Sequence, residues 1–239
     1  MLDVHPPHHA ASTWRDFFIH IATIVIGLLI AIGLEQTVEH FHQRHQLQEL
    51  RRGELTDARI YLDDVDQLRL ANSQQIEDLS QRIQQVRLAI AQHQKLVAPV
   101  YRPAIFTNTI RLGNLSAARE SGLIHLLSED EINSTGDAEV GVAKAEALKE
   151  LAQEATRKRV AFEQRFQSNY PAGEYDFSRS TPAQLDEYLG LLIEERLHRT
   201  ETLDYLDQMH RGALAFLQGQ RDLGKLREAE AGSSSHSHH

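Results

Sequence analysis

The sequence has no cysteine among its 239 residues. This absence excludes disulfide bonds, thiolate metal sites, iron–sulfur ligation and cysteine nucleophiles. Basic residues are outnumbered as well, because 25 Lys and Arg stand against 34 Asp and Glu, which gives a formal net charge of −9. A chain of this sign without a concentrated basic patch repels phosphate backbones, so nucleic acid is not an expected partner.

Helix-breaking residues are scarce. The chain has 6 prolines and 13 glycines, and no proline lies between Pro7 and Pro99. No alternating run of strand length occurs, so β structure should be negligible. The sequence therefore predicts an all-α protein, in which an N-terminal transmembrane helix continues into a long stalk helix and an elongated antiparallel helical bundle.

The most apolar segment is residues 17–34, which are 18 residues without a formal charge. A helix of that length rises about 27 Å and is just long enough to cross a bilayer. Trp14 and the two phenylalanines that open the segment suit a membrane interface. A buried core helix and a cleavable signal peptide are the alternatives, the latter because Ala31-Ile32-Gly33 is a small-x-small triplet. Gly27 and Ala31 also form a small-xxx-small pair, a pattern that lets two membrane helices approach closely.

The flanking charges give two answers about orientation. Arg15 precedes the span, whereas Arg44, Arg51 and Arg52 follow it, and this count favours a cytoplasmic C-terminal domain. The nearest flanks indicate the opposite, since the terminal amine and Arg15 come before the span and two glutamates come after it. We expect a bacterial inner-membrane protein with one span and a periplasmic domain.

The predicted stalk covers residues 35–97 and carries a heptad pattern from Leu55. Nine of its twelve a and d positions are apolar, and the pattern is typical of a helix that packs along one seam. Arg69 and Asn72 interrupt the seam at its middle. The pattern leaves open whether the seam faces another copy of the chain or a later helix. The a positions are Leu55, Leu62, Arg69, Ile76, Ile83 and Ile90, and the d positions are Ala58, Val65, Asn72, Leu79, Val86 and His93.

Residues 98–230 are predicted to form a helical domain that packs on the stalk. Pro99 and Pro103 should end the stalk helix. The pattern then predicts helices over 109–127, from Ser128, over 140–168 and over 182–230, with Gly113 and Gly122 as candidate close-packing points in the first of them. Ser128 is expected to begin its helix with a capping box, and Thr181 is expected to be the capping residue before Pro182. A loosened stretch is expected at 134–136 and a turn segment at 169–182. Residues 1–16 are expected to form an N-terminal tail and residues 231–239 a disordered tail.

A cluster of histidines and acids follows the span. Glu39 and His42 lie three residues apart, and so do His42 and His45. His40 lies between Glu39 and His42. Such i, i+3 spacing places side chains on neighbouring positions of a helix, so Glu39, His40, His42 and His45 are a candidate metal site, with zinc the expected ion. Contact with lipid headgroups and water is the competing interpretation.

Glu-x-x-His pairs in a helical bundle can also indicate a di-iron site. The chain has an acid-x-x-His pair at Glu195/His198 and another at Asp207/His210, in addition to Glu39/His42. Three such pairs are close to the chance expectation for 14 His and 34 acidic residues. No further inward carboxylates can be singled out, so the pattern does not favour di-iron chemistry.

No phosphate-binding glycine loop, G-x-S-x-G elbow or H-E-x-x-H motif occurs in the sequence. The leading hypothesis is therefore a non-enzymatic, membrane-anchored scaffold or accessory subunit. Its expected partners are membrane lipid, further copies of itself and other membrane protein subunits. The alternatives are an extracytoplasmic ligand-sensing bundle and a metal-binding protein that uses the histidine cluster.

Two segments carry a resemblance to known proteins. The stretch TWRDFFIHIATIVIGLLIAIGLEQTVEHFHQRHQ resembles the N-terminal signature of single-pass membrane proteins of bacteria, mainly proteobacteria, and ARESGLIHLLSEDEI resembles an A-x-x-S-G-x-x-x-x-L element of related domains of unknown function. Together they cover about a fifth of the chain. The resemblance implies an inner-membrane protein and no particular activity.

Overall fold

The computed structural model describes residues 14–99, 110, 112–166 and 174–231. Several predictions fall outside these residues: most of the N-terminal tail, the C-terminal tail from Gly232, the helix start at Thr109, the break at Pro103 and the first part of the turn segment. The statements below concern the described residues.

The all-α prediction is confirmed, since five α-helices account for most of the described chain. They are α1 (Trp14–Gln92), α2 (Gly113–Glu120), α3 (Glu129–Glu163), α4 (Pro182–Leu217) and α5 (Leu223–Ala231). Short 3₁₀ turns cover Leu123–Leu126 and Gln164–Phe166. The expectation of negligible β structure needs a small correction, because β1 (Val97–Pro99) and β2 (Glu174–Asp176) form an antiparallel pair.

The chain divides into two compact units, Met1–Glu49 and Leu50–His239, and α1 contributes to both. In the first unit, α1 contains one stretch long and apolar enough to cross a membrane, and none of that stretch is buried. Polar side chains within it bond to their own helix: the Thr23 hydroxyl donates to the Ile19 carbonyl over 2.8 Å, and His20 Nδ1 lies 2.8 Å from the Asp16 carbonyl. These bonds reduce the cost of placing polar groups in an apolar environment.

In the second unit, α1, α3 and α4 form the core. Arg51 contacts Glu131 and Arg82 contacts Glu163, so α1 and α3 run in the same direction. Arg69 contacts Asp207 whereas Arg82 contacts Tyr188, so α4 runs antiparallel to α1 and therefore also to α3. The parallel α1–α3 pair differs from the predicted antiparallel arrangement, because α2 already lies beside the beginning of this part of α1, where Asn114 donates to Asp57.

The seam of α1 faces later helices of the same chain. Leu79, Ile83 and Val86 pack in one apolar cluster with Phe162 of α3 and Tyr188 of α4. A second cluster lies further toward the N-terminal end of this part of α1. It joins Tyr61, Val65, Leu68, Ile110, Ala145 and Leu206.

The predicted seam is shifted by one residue at its a positions and is unchanged at most of its d positions. Four predicted d positions, Val65, Asn72, Leu79 and Val86, are buried and His93 is exposed, whereas most a positions are only partly buried. The residue before each a position is buried instead, as at Tyr61, Leu68 and Ala89. Two partner helices cover a wider face than a two-stranded coiled coil does, and this explains the shift.

The end of α1 lies seven residues before Pro99. His93 takes a left-handed conformation with φ 52°, and the Gln94 amide donates to the Ala89 carbonyl over 3.0 Å. This 6→1 bond is the Schellman arrangement that ends helices. The prediction that Pro99 ends the helix was therefore wrong. The left-handed residue His93 ends it, and Pro99 lies in β1.

The helix predicted over 109–127 is shorter in the structure. Gly122 has φ 75°, and its amide donates to the Arg119 carbonyl over 3.1 Å. A left-handed residue of this kind ends a helix and favours glycine. Gly122 is thus the break after α2 rather than a close-packing point. Gly53 allows close packing, because a Cβ there would lie 3.1 Å from Asn114 Cβ.

The capping box at Ser128 is confirmed. The Glu131 amide donates to the Ser128 hydroxyl, and the Glu131 carboxylate accepts from the Ser128 amide. The predicted loosening at 134–136 was wrong, since α3 is continuous from Glu129 to Glu163. Packing of Thr135, which is buried, outweighs the weak helix propensity of this stretch.

Loss of this cap should destabilise the bundle. Ser128→Ala removes the acceptor for the Glu131 amide, and we expect the free energy of unfolding to fall by about 1 kcal/mol. Urea unfolding of the full chain in mild detergent, followed by circular dichroism, measures the change. Ser116→Ala is the control, because the Ser116 hydroxyl is exposed and bonds only within its own helix; equal losses in both variants would contradict the capping role.

The helix predicted over 182–230 consists of two helices. Thr181 begins α4 with a capping box and Pro182 stands in its first turn, as expected. Gly219, with φ 93°, then ends it, and α5 returns along α4 so that Arg211 donates to the Glu230 carbonyl over 2.6 Å. At Gly212 a Cβ would lie 2.6 Å from Glu230 Oε1, so this glycine permits the close approach of α5.

Candidate functional site

The predicted metal-binding residues lie on the exposed surface of the first unit. Glu39, His40, His42 and His45 are all exposed. The Glu39 carboxylate accepts from Gln43 over 2.9 Å, and His45 Nε2 lies 3.2 Å from Glu49. Among the described residues no group of three His, Asp or Glu side chains is arranged to hold a metal ion. The zinc site stays a prediction, which elemental analysis of protein purified without an affinity metal would test.

The acid-x-x-His pairs of α4 have other partners. The Glu195 carboxylate is fully buried between two arginines, and His198 lies 3.1 Å from Glu201. Asp207 accepts from Arg69 over 2.6 Å, and His210 lies 2.8 Å from Asp66. The two members of each pair thus point to different neighbours.

A buried charge network separates the two apolar clusters. At its centre, Arg159 donates to Glu195 over 2.6 Å and to Glu163 over 2.7 Å, and all three side chains are fully buried. Arg199 donates to the second oxygen of Glu195 over 2.9 Å. The Tyr188 hydroxyl donates to Glu163 over 2.7 Å. The network joins α3 to α4 through charge-assisted bonds, which are the stronger kind of hydrogen bond.

The pKa shifts in the network have opposing causes. Burial raises the pKa of the Glu195 carboxyl, but Arg159 and Arg199 outweigh it, so the net pKa is lowered. Burial likewise disfavours the charged form of Arg159, and the two carboxylates reverse this, so its pKa is raised. The network therefore holds its charges as ion pairs inside the bundle and gives it a structural role.

A cavity of about 110 Å³ lies in the second unit and is partly open to solvent. Side chains from all five helices line it. Its walls are mainly apolar and include Tyr61, Leu115, Ala213, Phe216 and Leu226. Four carboxylates also line it, Glu54, Asp57, Asp137 and Glu230, against one arginine, Arg227.

Two of these carboxylates have strong partners. Asp57 accepts from the Asn114 side chain over 2.7 Å and from the Leu115 amide over 3.0 Å, so it caps the first turn of α2. Asp137 pairs with Arg227 over 2.7 Å. These bonds fix α2 and α5 around the cavity.

The other two carboxylates are less well compensated. Glu54 is 6% exposed, and its Oε2 atom has no hydrogen-bond partner among the described residues. The nearest cation is Arg221, whose Nη1 lies 3.7 Å away. Glu230 also lines the cavity and is exposed to solvent.

Desolvation dominates the electrostatics of both carboxyls. Burial raises the pKa of Glu54 above its ordinary value, and the neighbouring charge of Glu131 adds to the rise while Arg221 opposes it. Burial also raises the pKa of Glu230, with Asp137 adding to the effect. Each carboxylate would therefore be stabilised by a cation brought close to it.

Comparison of the sequence with protein families and curated proteins, and of the fold with solved structures, finds no match. The geometry is therefore the sole guide to the site. The sequence did not predict this cavity. Its lining residues come from five helices, and no local sequence pattern specifies how those helices pack. The predicted seam gave no signal for Glu54, because it placed Leu55 rather than Glu54 at the buried position.

Proposed function

We propose that this chain is a non-enzymatic accessory subunit or scaffold of the bacterial inner membrane. Residues 17–34 serve as its single anchor and the helical bundle lies in the periplasm. The observation that carries the proposal is the wholly exposed apolar stretch of α1, in the same helix that enters the bundle core. An apolar surface of this extent requires lipid or another protein around it. The resemblance of the N-terminal segment to bacterial single-pass proteins supports the same conclusion.

In this proposal, the membrane-spanning segment is the part of the chain that contacts other subunits. The seam of α1 is filled by α3 and α4 of the same chain, so it is not free for a second copy. Gly27 has nothing within 4 Å, and Ala31 lies one turn further on the same helix face. Small residues at this spacing allow a second membrane helix to pack closely.

The composition of the native particle tests this proposal. We expect that extraction from native membranes in mild detergent yields a particle with more mass than one chain, built either of several copies or of this chain with other subunits. Gly27→Leu with Ala31→Leu should reduce that particle to a single chain. Ala22→Leu, on another face of the span, is the control. A wild-type chain that is extracted alone would overturn the proposal.

The orientation has its own test, which the cysteine-free sequence makes direct. Ser73→Cys places a thiol on the exposed surface of the bundle, and Ser12→Cys places one before the span. A membrane-impermeant maleimide added to cells with a permeabilised outer membrane should label the first and not the second. The reverse pattern would place the bundle in the cytoplasm.

A further inference from the structure

The lining of the cavity includes a buried hydrogen-bond acceptor, on Glu54, that has no donor within the described part of the chain. Glu54 Oε2 is buried without a hydrogen-bond partner among the described residues. Arg221, at 3.7 Å, is too far for a hydrogen bond. A buried acceptor left in this state costs about 1–3 kcal/mol, and more when it is charged. A donor that enters the cavity would recover that loss.

The charge balance selects a cation over an anion. Asp57 and Asp137 are already engaged by protein donors, and Arg227 is engaged by Asp137. Glu54 and Glu230 remain as the carboxylates of the lining that a ligand would meet. Both are negative when ionised, so an anionic ligand would be repelled.

The lining of the cavity favours a ligand with a small apolar part. Tyr61, Phe216 and Leu226 contribute much of the lining. An apolar cavity of about 150 Å³ accepts a benzene ring, so the volume of about 110 Å³ suits a smaller hydrocarbon group. A ligand with an apolar body and a positive end would satisfy both the walls and the carboxylates.

A cation of the chain itself, Arg221, lies against Phe216 and near Glu54. The Arg221 guanidinium carbon lies 3.9 Å from the centre of the Phe216 ring, a cation–π distance. The same side chain is the nearest cation to Glu54. An aromatic face beside a carboxylate is a combination that recognises organic ammonium groups.

We propose that the cavity binds a small organic ammonium ion with an apolar body, which donates to Glu54 and is balanced in charge by Glu54 and Glu230. The site does not depend on the accessory-subunit proposal. Either can fail while the other stands, since one concerns the span and the other the bundle.

The test uses the full chain in lipid nanodiscs and two probes of nearly equal shape, isobutylamine and isobutyl alcohol. The amine is ionised at pH 7, as a lysine side chain is. Ligand-observed NMR titration measures the affinity of each. We expect the amine to bind at least ten times more tightly than the alcohol, because only the amine supplies a charged donor.

Three variants assign the binding to the cavity. Glu54→Gln should weaken amine binding at least tenfold and leave alcohol binding unchanged, and Glu230→Gln should weaken it by a smaller factor. Arg221→Gln should strengthen amine binding severalfold, because it removes the competing cation; a gain of this kind cannot come from misfolding. Glu228→Gln, exposed on the same helix as Glu230, is the control and should change nothing.

The proposal is overturned by any of three results in folded protein. The first is amine binding that is absent or no tighter than alcohol binding. The second is equal amine affinity in wild type and Glu54→Gln, which would place the amine elsewhere, including in the lipid. The third is weaker amine binding in Arg221→Gln. Thermal melts establish that each variant is folded.

Discussion

Arg159→Met should cost the bundle about 3–5 kcal/mol, because it leaves two fully buried carboxylates without their shared cation. Methionine is unbranched like the arginine stem but shorter, so most of the loss, though not all of it, reports charge rather than volume. Urea unfolding of the full chain in mild detergent measures it. A loss of this size is comparable with the whole stability of many domains, and the variant is expected to be partly unfolded at 37 °C.

Arg157→Met is the matched control. Arg157 lies on the same helix and also pairs with two carboxylates, Glu150 and Glu154, but these side chains are exposed. Exposed pairs are screened by water and contribute little. The loss should therefore be much smaller than for Arg159→Met. Similar losses in the two variants would show that burial of the network does not determine its importance.

The effect of Arg159→Met should also depend on pH. The pKa of the Glu195 carboxyl is lowered below its ordinary value of 4.5 in the folded chain. Its stabilisation is present above pH 4.5 and is lost as the pH falls through the lower folded-state pKa. The variant lacks the part of this contribution that Arg159 makes, and it gains stability when Glu195 is protonated. The difference between wild type and variant should shrink on acidification, and a difference that grows instead would contradict the ion-pair account.

Ile26→Arg combined with Ile30→Arg should remove the protein from the membrane. Both residues lie in the exposed apolar stretch of α1. Each arginine near the centre of a span costs about 2.5–3.5 kcal/mol on an insertion scale, so two cost about 5–7 kcal/mol. Carbonate extraction of membranes should leave the wild type in the pellet and release the variant to the soluble or aggregated fraction.

Ile60→Arg with Leu70→Arg is the control for this experiment. These side chains are exposed on the same helix within the second unit, so their replacement should leave membrane association intact. The intact mass of the wild type separates an anchor from a cleaved signal peptide, since cleavage after Gly33 would remove the whole N-terminal segment. Retention of the doubly charged span in the membrane would contradict its role as the anchor.

Local signals in the sequence predicted helix starts better than helix ends. Ser128 and Thr181 were recognised as caps because the bonds they make reach only three residues along the chain. The end of α1 was missed, since it depends on His93 in a left-handed conformation that this residue type adopts less readily than glycine. The break at Gly219 was missed because the apolar pattern continues on both sides of it.

The sequence by itself determined the helical class, the apolar stretch and the positions of two caps, because composition and short-range periodicity specify them. It also indicated polar residues in the middle of the seam, at Arg69 and Asn72. Only the tertiary structure decided which side of α1 is buried, that its partners are α3 and α4, and that Arg159 lies between Glu163 and Glu195. The cavity around Glu54 belongs to the same class of feature, since it exists only where five helices meet. Contacts between residues far apart in the chain depend on the packing of whole helices, and no local pattern encodes them.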